Sequence, residues 1–336
     1  MIVDARVLRD EFVPREVVHR DAETNRLSAA LSPLLDGEPA ETALLTGPSG
    51  VGKTCIAQYT VSRLRERVLD IETQYVNCWQ NYSRFRALYR ILDGLGQTID
   101  IHRQSTPRDE LLERLERYDG PPCVVILDEV DQLEDMRILY DLYHLPRFSM
   151  ILIANREEEL FARLDDRIQS RLHTAERVHF DRYSVDELVA ILEDRAESGL
   201  TTGAVAREQL AIIADAAAGD ARVAIGILRN AARQAQRAES RAITYEMLHE
   251  AIPEGRAEVR RKSIETLTPH QRALYDILAE EGELEPADLY AAYQARVDEP
   301  KTDRTVRNYL QKLAQYNLIT ITGTSRDRTY VVERRE

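Results

Sequence analysis

Gly47-Pro48-Ser49-Gly50-Val51-Gly52-Lys53-Thr54 has the residue types and spacing to hold a phosphate chain, fitting the pattern G-x-x-x-x-G-K-[ST]. Glycines let successive backbone N–H groups turn toward the β- and γ-phosphates. Lys53 brings a positive charge to the same place, and Thr54 offers its hydroxyl to Mg²⁺. The apolar run Ala43-Leu44-Leu45 precedes the motif and a helix-like run, Ile56 to Arg67, follows it. A glycine-rich turn with no nucleotide would need neither neighbour, so the reading is a nucleotide site for ATP or GTP.

Further along, Val124-Val125-Ile126-Leu127 runs into Asp128-Glu129. This reads as a partner strand that points Asp128 toward the metal, with Glu129 able to polarise an attacking water. The other reading of Glu129 is a solvent-facing strand end. Asn155 closes the apolar strand Met150–Ala154, where ligands bind in open parallel sheets. It could hold the water or the γ-phosphate, and a helix cap explains it equally well. Arg167 and Arg171, four apart in Leu164–Leu172, could reach the phosphates of a nucleotide on a neighbouring subunit, or form an ordinary salt-bridged helix face. Arg222, in Gly219-Asp220-Ala221-Arg222, could lean onto the γ-phosphate or simply open a capped helix.

These side chains need a scaffold. Strand candidates are Thr42–Thr46, Gln74–Cys78, Cys123–Leu127, Met150–Ala154 and Arg177–Phe180, separated by helical patterns such as Ser83–Gly94 and Thr106–Tyr118. The alternation predicts an α/β core with a parallel sheet covered by helices. From Ser184 to about Ile252 the pattern is all-helical, and Ser184 with Glu187 forms a capping box. Pro253-Glu254-Gly255 reads as a break and Arg256–Lys262 as a charged linker. Three amphipathic helices follow, at about 269–281, 286–296 and 302–316, then strand candidates Leu318–Thr322 and Thr329–Val332 around a turn. That order predicts a winged helix. The domains expected are 1–182, 183–255 and 256–336.

The chain has 336 residues and a net charge of −13, with 45 Lys and Arg against 58 Asp and Glu. Lys53, Lys262, Lys301 and Lys312 are its lysines, so nearly all the basic residues are Arg. Haloarchaeal proteins look like this, and so do lysine-poor proteins of GC-rich genomes. From Arg256 onward 14 basic residues balance 14 acidic ones, and from Pro300 onward there are 8 against 4. The C-terminal end is therefore the electropositive end of an acidic chain, as a DNA-contacting element requires. Cys55, Cys78 and Cys123 lack metal-ligand spacing and read as thiols of a reducing cytoplasm. No apolar run approaches membrane-spanning length, so no membrane partner is expected.

Taken together the motifs resemble the AAA+ ATPases, and within them the archaeal origin-recognition and cell-division-cycle type replication initiators. The likeness covers nearly the whole chain. Besides the nucleotide motifs it rests on His19-Arg20-Asp21-Ala22-Glu23, Tyr75-Val76-Asn77-Cys78, Ala154-Asn155 and Asp166-Arg167-Ile168-Gln169-Ser170. It continues through Phe180-Asp181-Arg182-Tyr183, Glu187-Leu188, Ile191-Leu192, Gly219–Arg222 and Arg229–Ala235 to the winged-helix tail. Two departures are Asp21, where the family usually has Glu, and the short acidic Gln132-Leu133-Glu134-Asp135.

The resemblance implies an AAA+ parallel-sheet core, an all-helical lid and a C-terminal winged-helix domain. Gly50, Val51, Gly52, Lys53, Thr54 and Cys55 would bind the phosphates of ATP or ADP, with Thr54 and Asp128 on Mg²⁺. Asn155 and Arg222 would be the two sensors, and Tyr183 and Arg195 would contact ATP. It also implies a weak, switch-like ATPase, origin DNA and other initiator subunits as partners, support of helicase loading, and a cytoplasmic, nucleoid-associated location.

In a winged helix the third helix enters the major groove. Here it carries Arg304, Thr305, Arg307, Asn308, Gln311 and Lys312, while Val306, Leu310 and Leu313 form its apolar stripe. Arg304, Arg307, Asn308 and Gln311 should face outward, and Arg326 and Arg328 flank the wing tip. A weaker second contact is the segment Trp79 to Gly96, with Arg84, Arg86 and Arg90. Two rivals keep the same parts: a Holliday-junction branch-migration motor, and a signalling ATPase whose winged helix docks proteins rather than DNA.

Overall fold

The computed structural model describes residues 1–67, 70–98, 101, 107–323 and 327–332. They form two compact units, Glu11–Ile191, and Met1–Asp10 together with Leu192–Glu336.

The first unit contains α1 (Asp21–Leu31), β1 (Ala43–Thr46), α2 (Lys53–Arg67), β2 (Glu72–Asn77), α3 (Arg84–Gly94), α4 (Arg108–Glu116) and β3 (Cys123–Asp128). It continues with α5 (Arg137–Tyr143), β4 (Phe148–Ala154), α6 (Glu157–Phe161), α7 (Asp166–Leu172) and β5 (Glu176–His179). Among the described residues, five strands form one sheet in the order β2-β3-β4-β1-β5, all neighbours parallel. β1, β3 and β4 are buried along their whole length, which is why they read as unbroken apolar runs. Successive side chains serve opposite faces. Leu44, Val125, Leu127 and Leu152 meet α3, α4, α5 and α7, while Leu45, Val124, Ile126 and Ile153 meet α1 and α2. Each Leu or Ile so buried contributes about 1.5–3 kcal/mol.

The chain order 2-3-4-1-5 decides where chemistry can occur. After β1 the chain crosses to the far edge at β2 and returns through β3 to β4, so the carboxyl ends of β3, β4 and β1 lie side by side. Ligands in such sheets bind outside those ends, at the point where the strand order reverses.

α8 (Val185–Gly199) begins with the expected capping box: the Ser184 N–H donates to Glu187 Oε2 at 2.8 Å, and the Glu187 N–H to Ser184 Oγ at 3.3 Å. In the second unit follow α9 (Arg207–Ala217), α10 (Ala221–Arg237) and α11 (Tyr245–Glu265). Residues 253–262 are not a break and a linker: α11 runs straight through them with Pro253 inside. Gly255 gives the close approach that holds this stretch, because a Cβ there would lie 2.6 Å from Ile227 Cγ1 of α10. Packing against α10 outweighs the local cost of proline and glycine.

The last part is α12 (Pro269–Glu281), α13 (Pro286–Arg296), α14 (Asp303–Gln315), β6 (Ile319–Thr322) and β7 (Thr329–Val332). β6 and β7 pair antiparallel, and Leu284 adds a bridge to Tyr330. With the three helices this is the winged-helix arrangement, closed over Leu274, Leu289, Tyr293, Val306, Leu310 and Tyr330.

Residues 1–10, which the sequence division placed with the ATPase core, pack in this second unit. The Val3 and Asp4 N–H groups donate to the Gly199 carbonyl at 2.8 and 3.2 Å, and Val7 and Leu8 are buried. Among the described residues no helix is long and apolar enough to cross a membrane.

Candidate nucleotide site and nucleic-acid interface

β1 ends at Thr46, and the loop 47–52 carries the chain into α2 at Lys53. Two glycines make this turn feasible. Gly47 has φ 142°, and a Cβ there would sit 2.2 Å from the Phe180 carbonyl oxygen. Gly52 has φ 91°, and a Cβ would sit 2.6 Å from the Tyr183 hydroxyl. Only glycine fits both demands. Among the described residues the N–H groups of Gly50, Val51 and Gly52 have no hydrogen-bond acceptor in the protein. Such a row of amide donors opening a helix suits a phosphate chain.

Lys53 is only 8% exposed. Its Nζ donates to the carbonyls of Gly47 at 2.6 Å and Pro48 at 2.7 Å, and to Asn155 Oδ1 at 3.3 Å. Neighbouring β1 and β4 thus bring Lys53 and Asn155 together. Asn155 Nδ2 is buried and has no partner among the described residues. An orphaned buried donor beside an ammonium group fits a phosphate oxygen or a bound water.

Asp128 ends β3 and is 7% exposed. Its Oδ2 accepts from Thr54 Oγ1 at 2.8 Å and from the Tyr75 hydroxyl at 2.8 Å. Thr54 commits its proton to Asp128, so its lone pairs are what remains for a cation. The residues present therefore fit Mg²⁺ with a nucleotide phosphate. Burial, and then the Asp128 charge, push the Tyr75 phenol well above its ordinary value, so it stays a donor. Glu129 follows at φ 57°, ψ 46°, a left-handed conformation that costs a non-glycine residue about 1–2 kcal/mol. Strain of this kind gathers at functional sites. Cys55 is half-buried in the first turn of α2, and Cys78 and Cys123 are buried.

Tyr183 is buried beneath the Arg20 guanidinium, 4.1 Å from its ring centroid. Arg20 is itself tied to Glu23 at 2.6 Å and to the Asp181 carbonyl at 2.7 Å. Burial, partly offset by Arg20, raises the Tyr183 phenol. Neither Arg20 nor Tyr75 stands out by residue type. Their signal in the sequence was membership of the strings at 19–23 and 75–78.

The two arginines of α7 part company. Arg167 is exposed. Arg171 lies 4.7 Å from the Tyr140 ring centroid, and its Nη2 is 3.4 Å from His144 Nε2. His144 Nδ1 donates to the Tyr140 carbonyl at 2.7 Å, which leaves Nε2 as the acceptor.

In the second unit Asp220 caps α10, and Arg222 is 3.6 Å from the Asp220 carboxylate. Arg195, expected to meet ATP, stands on α8. It is buried, and its Nη1 donates to the Val7 carbonyl at 2.8 Å. Arg229 extends the same anchoring of the N-terminal segment, with Nη1 on the Leu8 carbonyl at 3.2 Å, Nη2 on Glu258 at 2.9 Å, and Asp10 at 3.6 Å. Lys262 completes it on Asp10 at 2.6 Å.

On α14 the periodicity holds: Arg304, Arg307, Asn308 and Gln311 are exposed, and Val306, Leu310 and Leu313 are buried. Thr302 caps the helix by accepting from the Thr305 N–H at 3.4 Å, and Thr305 is half-buried. Lys312 corrects the expectation. It is 4% exposed with its Nζ 4.9 Å from the Tyr316 ring centroid, because its long stem lies along the flank of the apolar stripe. Arg328 is half-buried beside Tyr330, and Arg326 lies outside the described residues. On α3, Arg84 is held by Asp141 at 2.6 Å, Arg86 covers the Tyr82 ring at 5.0 Å, and Arg90 meets Asp93 at 3.3 Å.

Comparison with known proteins agrees with this architecture. Residues 16–154 match the AAA ATPase domain model and residues 189–253 the Cdc6 AAA+ ATPase-type lid domain. ORC1-type DNA replication protein 9 of Halobacterium salinarum is 57% identical over 330 residues, spanning 98% of this chain and 93% of the relative. ORC1-type DNA replication protein 1 of the same organism is 56% identical over 92% of this chain and 100% of its own length. Among solved structures, the Aeropyrum pernix ORC1 protein in complex with DNA superposes with a TM-score of 0.75 at 26% identity, over 99% of this chain and 93% of that one. A phosphate loop on a 2-3-4-1-5 sheet, a Cdc6-type lid and a winged helix, in a chain this close to its relatives, identify an AAA+ ATPase that belongs to the ORC1-type DNA replication protein family.

Proposed function

We propose that this protein is an ATP-controlled initiator of chromosomal replication that binds origin DNA and supports helicase loading. The observation that carries the reading is the exposed row Arg304, Arg307, Asn308 and Gln311 on α14, in a chain whose relative from Aeropyrum pernix is described in complex with DNA. Arginine pairs guanine and asparagine pairs adenine in the major groove, so this row has the chemistry to read base edges.

The nucleotide half assigns roles residue by residue. Gly47, Gly50, Val51, Gly52, Lys53 and Cys55 hold the phosphates, and Thr54 and Asp128 hold Mg²⁺, which supplies charge neutralisation when bound. Tyr183 packs against the loop at Gly52. Asn155 and Arg222 are the two sensors. Arg167 is the arginine that reaches a neighbouring subunit's nucleotide, since Arg171 is occupied by Tyr140 and His144. Glu129 orients the attacking water, and hydrolysis is slow and switch-like. Glu129→Gln is expected to bind ATP normally and to lower turnover on the order of 100-fold, as loss of an acid–base group does. Turnover equal to the parent protein in a phosphate-release assay would remove this role.

DNA binding is tested by genome-wide occupancy in the protein's own cells beside an Arg304→Ala/Arg307→Ala variant. Discrete peaks at replication start sites are expected, absent in the variant. In purified protein each substitution should cost about 1–3 kcal/mol of DNA affinity if it removes a bidentate guanine contact. Diffuse occupancy would overturn sequence-specific initiation.

A further inference from the structure

Asp128 receives two hydroxyl donors on one oxygen. Thr54 Oγ1 and the Tyr75 hydroxyl each donate to Oδ2 at 2.8 Å, and among the described residues no protein donor reaches Oδ1. The phosphate loop accounts for Thr54. Tyr75 belongs to β2, outside every nucleotide motif.

The register explains how it arrives there. Tyr75 is paired with Ile126, two positions before Asp128 on β3. Side chains two apart share a face, so Ile126 and Asp128 point the same way, toward α2 and Thr54. The Tyr75 ring packs against the apolar cluster on that face, of which Ile126 and Val124 are members. Its length carries the hydroxyl past Ile126 to the carboxylate. Phenylalanine would fill the same space and make no such bond.

We infer that Tyr75 is a positioning residue of the nucleotide site, pinning Asp128 Oδ2 so that Oδ1 and the lone pairs of the Thr54 hydroxyl are left for the cation that accompanies the phosphates. This rests on the nucleotide-site reading above. Groups that orient a metal-binding side chain typically tune metal affinity by 10–100-fold (an order-of-magnitude range) when removed. Tyr75 therefore acts on the cation dependence of nucleotide binding and not on the phosphate loop itself.

The test titrates ATP binding to the full chain in EDTA and at increasing Mg²⁺, for the parent and Tyr75→Phe. In EDTA the two affinities should agree within about twofold, while the Mg²⁺ concentration for half-maximal enhancement rises about tenfold in Tyr75→Phe. In an Asp128→Asn background the same change should have no further effect, because the two residues act through one bond. A parent-like Mg²⁺ dependence, an equal loss with and without Mg²⁺, or additive effects in the Asp128→Asn background would overturn the inference. A parent protein that binds no ATP would overturn the nucleotide-site reading instead, and this inference with it.

Discussion

Lys53→Ala is expected to abolish measurable nucleotide binding while leaving the sheet intact. The ammonium group sits in the turn, held by the carbonyls of Gly47 and Pro48 and by Asn155 Oδ1. These are exchangeable partners: a nucleotide's phosphate oxygens, which carry full charge, compete for the same donors. Each charge-assisted hydrogen bond contributes about 1.5–3 kcal/mol, so two lost contacts weaken binding at least about 100-fold. The sheet is held by the apolar side chains of β1, β3 and β4 packed against the helices on its two faces, so thermal unfolding should change little. Calorimetric titration with ATP checks it, and parent-like affinity would move the nucleotide away from this loop.

Arg229→Ala should instead unfold the second unit more easily without touching the nucleotide loop. Arg229 is 6% exposed and meets the Leu8 carbonyl, Asp10 and Glu258. Removing one partner of a buried ion network leaves the others uncompensated, at about 3–5 kcal/mol. Total domain stability is about 5–15 kcal/mol, so this is a large fraction. Lys262→Ala is the contrast, since Lys262 is more exposed and a surface pair contributes about 0–1 kcal/mol. Urea unfolding of both variants measures the difference, and a loss under about 1 kcal/mol for Arg229→Ala would show that the network does not hold the N-terminal segment.

The same network sets an acid limit. Burial alone would raise the Asp10 and Glu258 carboxyls. Lys262 and Arg229 overcome this at Asp10, and Arg229 at Glu258, and both end below their ordinary values of 3.8 and 4.5. A depressed carboxylate stabilises above its unfolded value and loses that contribution as pH falls through the folded one. The anchoring of residues 1–10 is therefore complete above those ordinary values and weakens at more acidic pH.

Much of the architecture was legible because it is written in short-range signals. Strand and helix positions followed from apolar periodicity, the start of α8 from its capping box, and the outward face of α14 from the spacing of Val306, Leu310 and Leu313. The spacing of Gly47 to Thr54 and the end of the run at Asp128 carry chemistry that needs those residue types at those intervals. What the tertiary structure decided are the choices among chemically equivalent residues. Arg167 and Arg171 have the same side chain, and only the nearby Tyr140 and His144 make one occupied and the other exposed. Arg195 is turned inward to the Val7 carbonyl, and Lys312 is covered, because their neighbours come from distant sequence or from a helix flank. Pro253 and Gly255 announce a break that packing against Ile227 forbids. Local propensity amounts to about 1–3 kcal/mol per residue, and burial against a partner helix outweighs it. The bond from Tyr75 to Asp128 likewise exists only once the parallel register sets β2 beside β3.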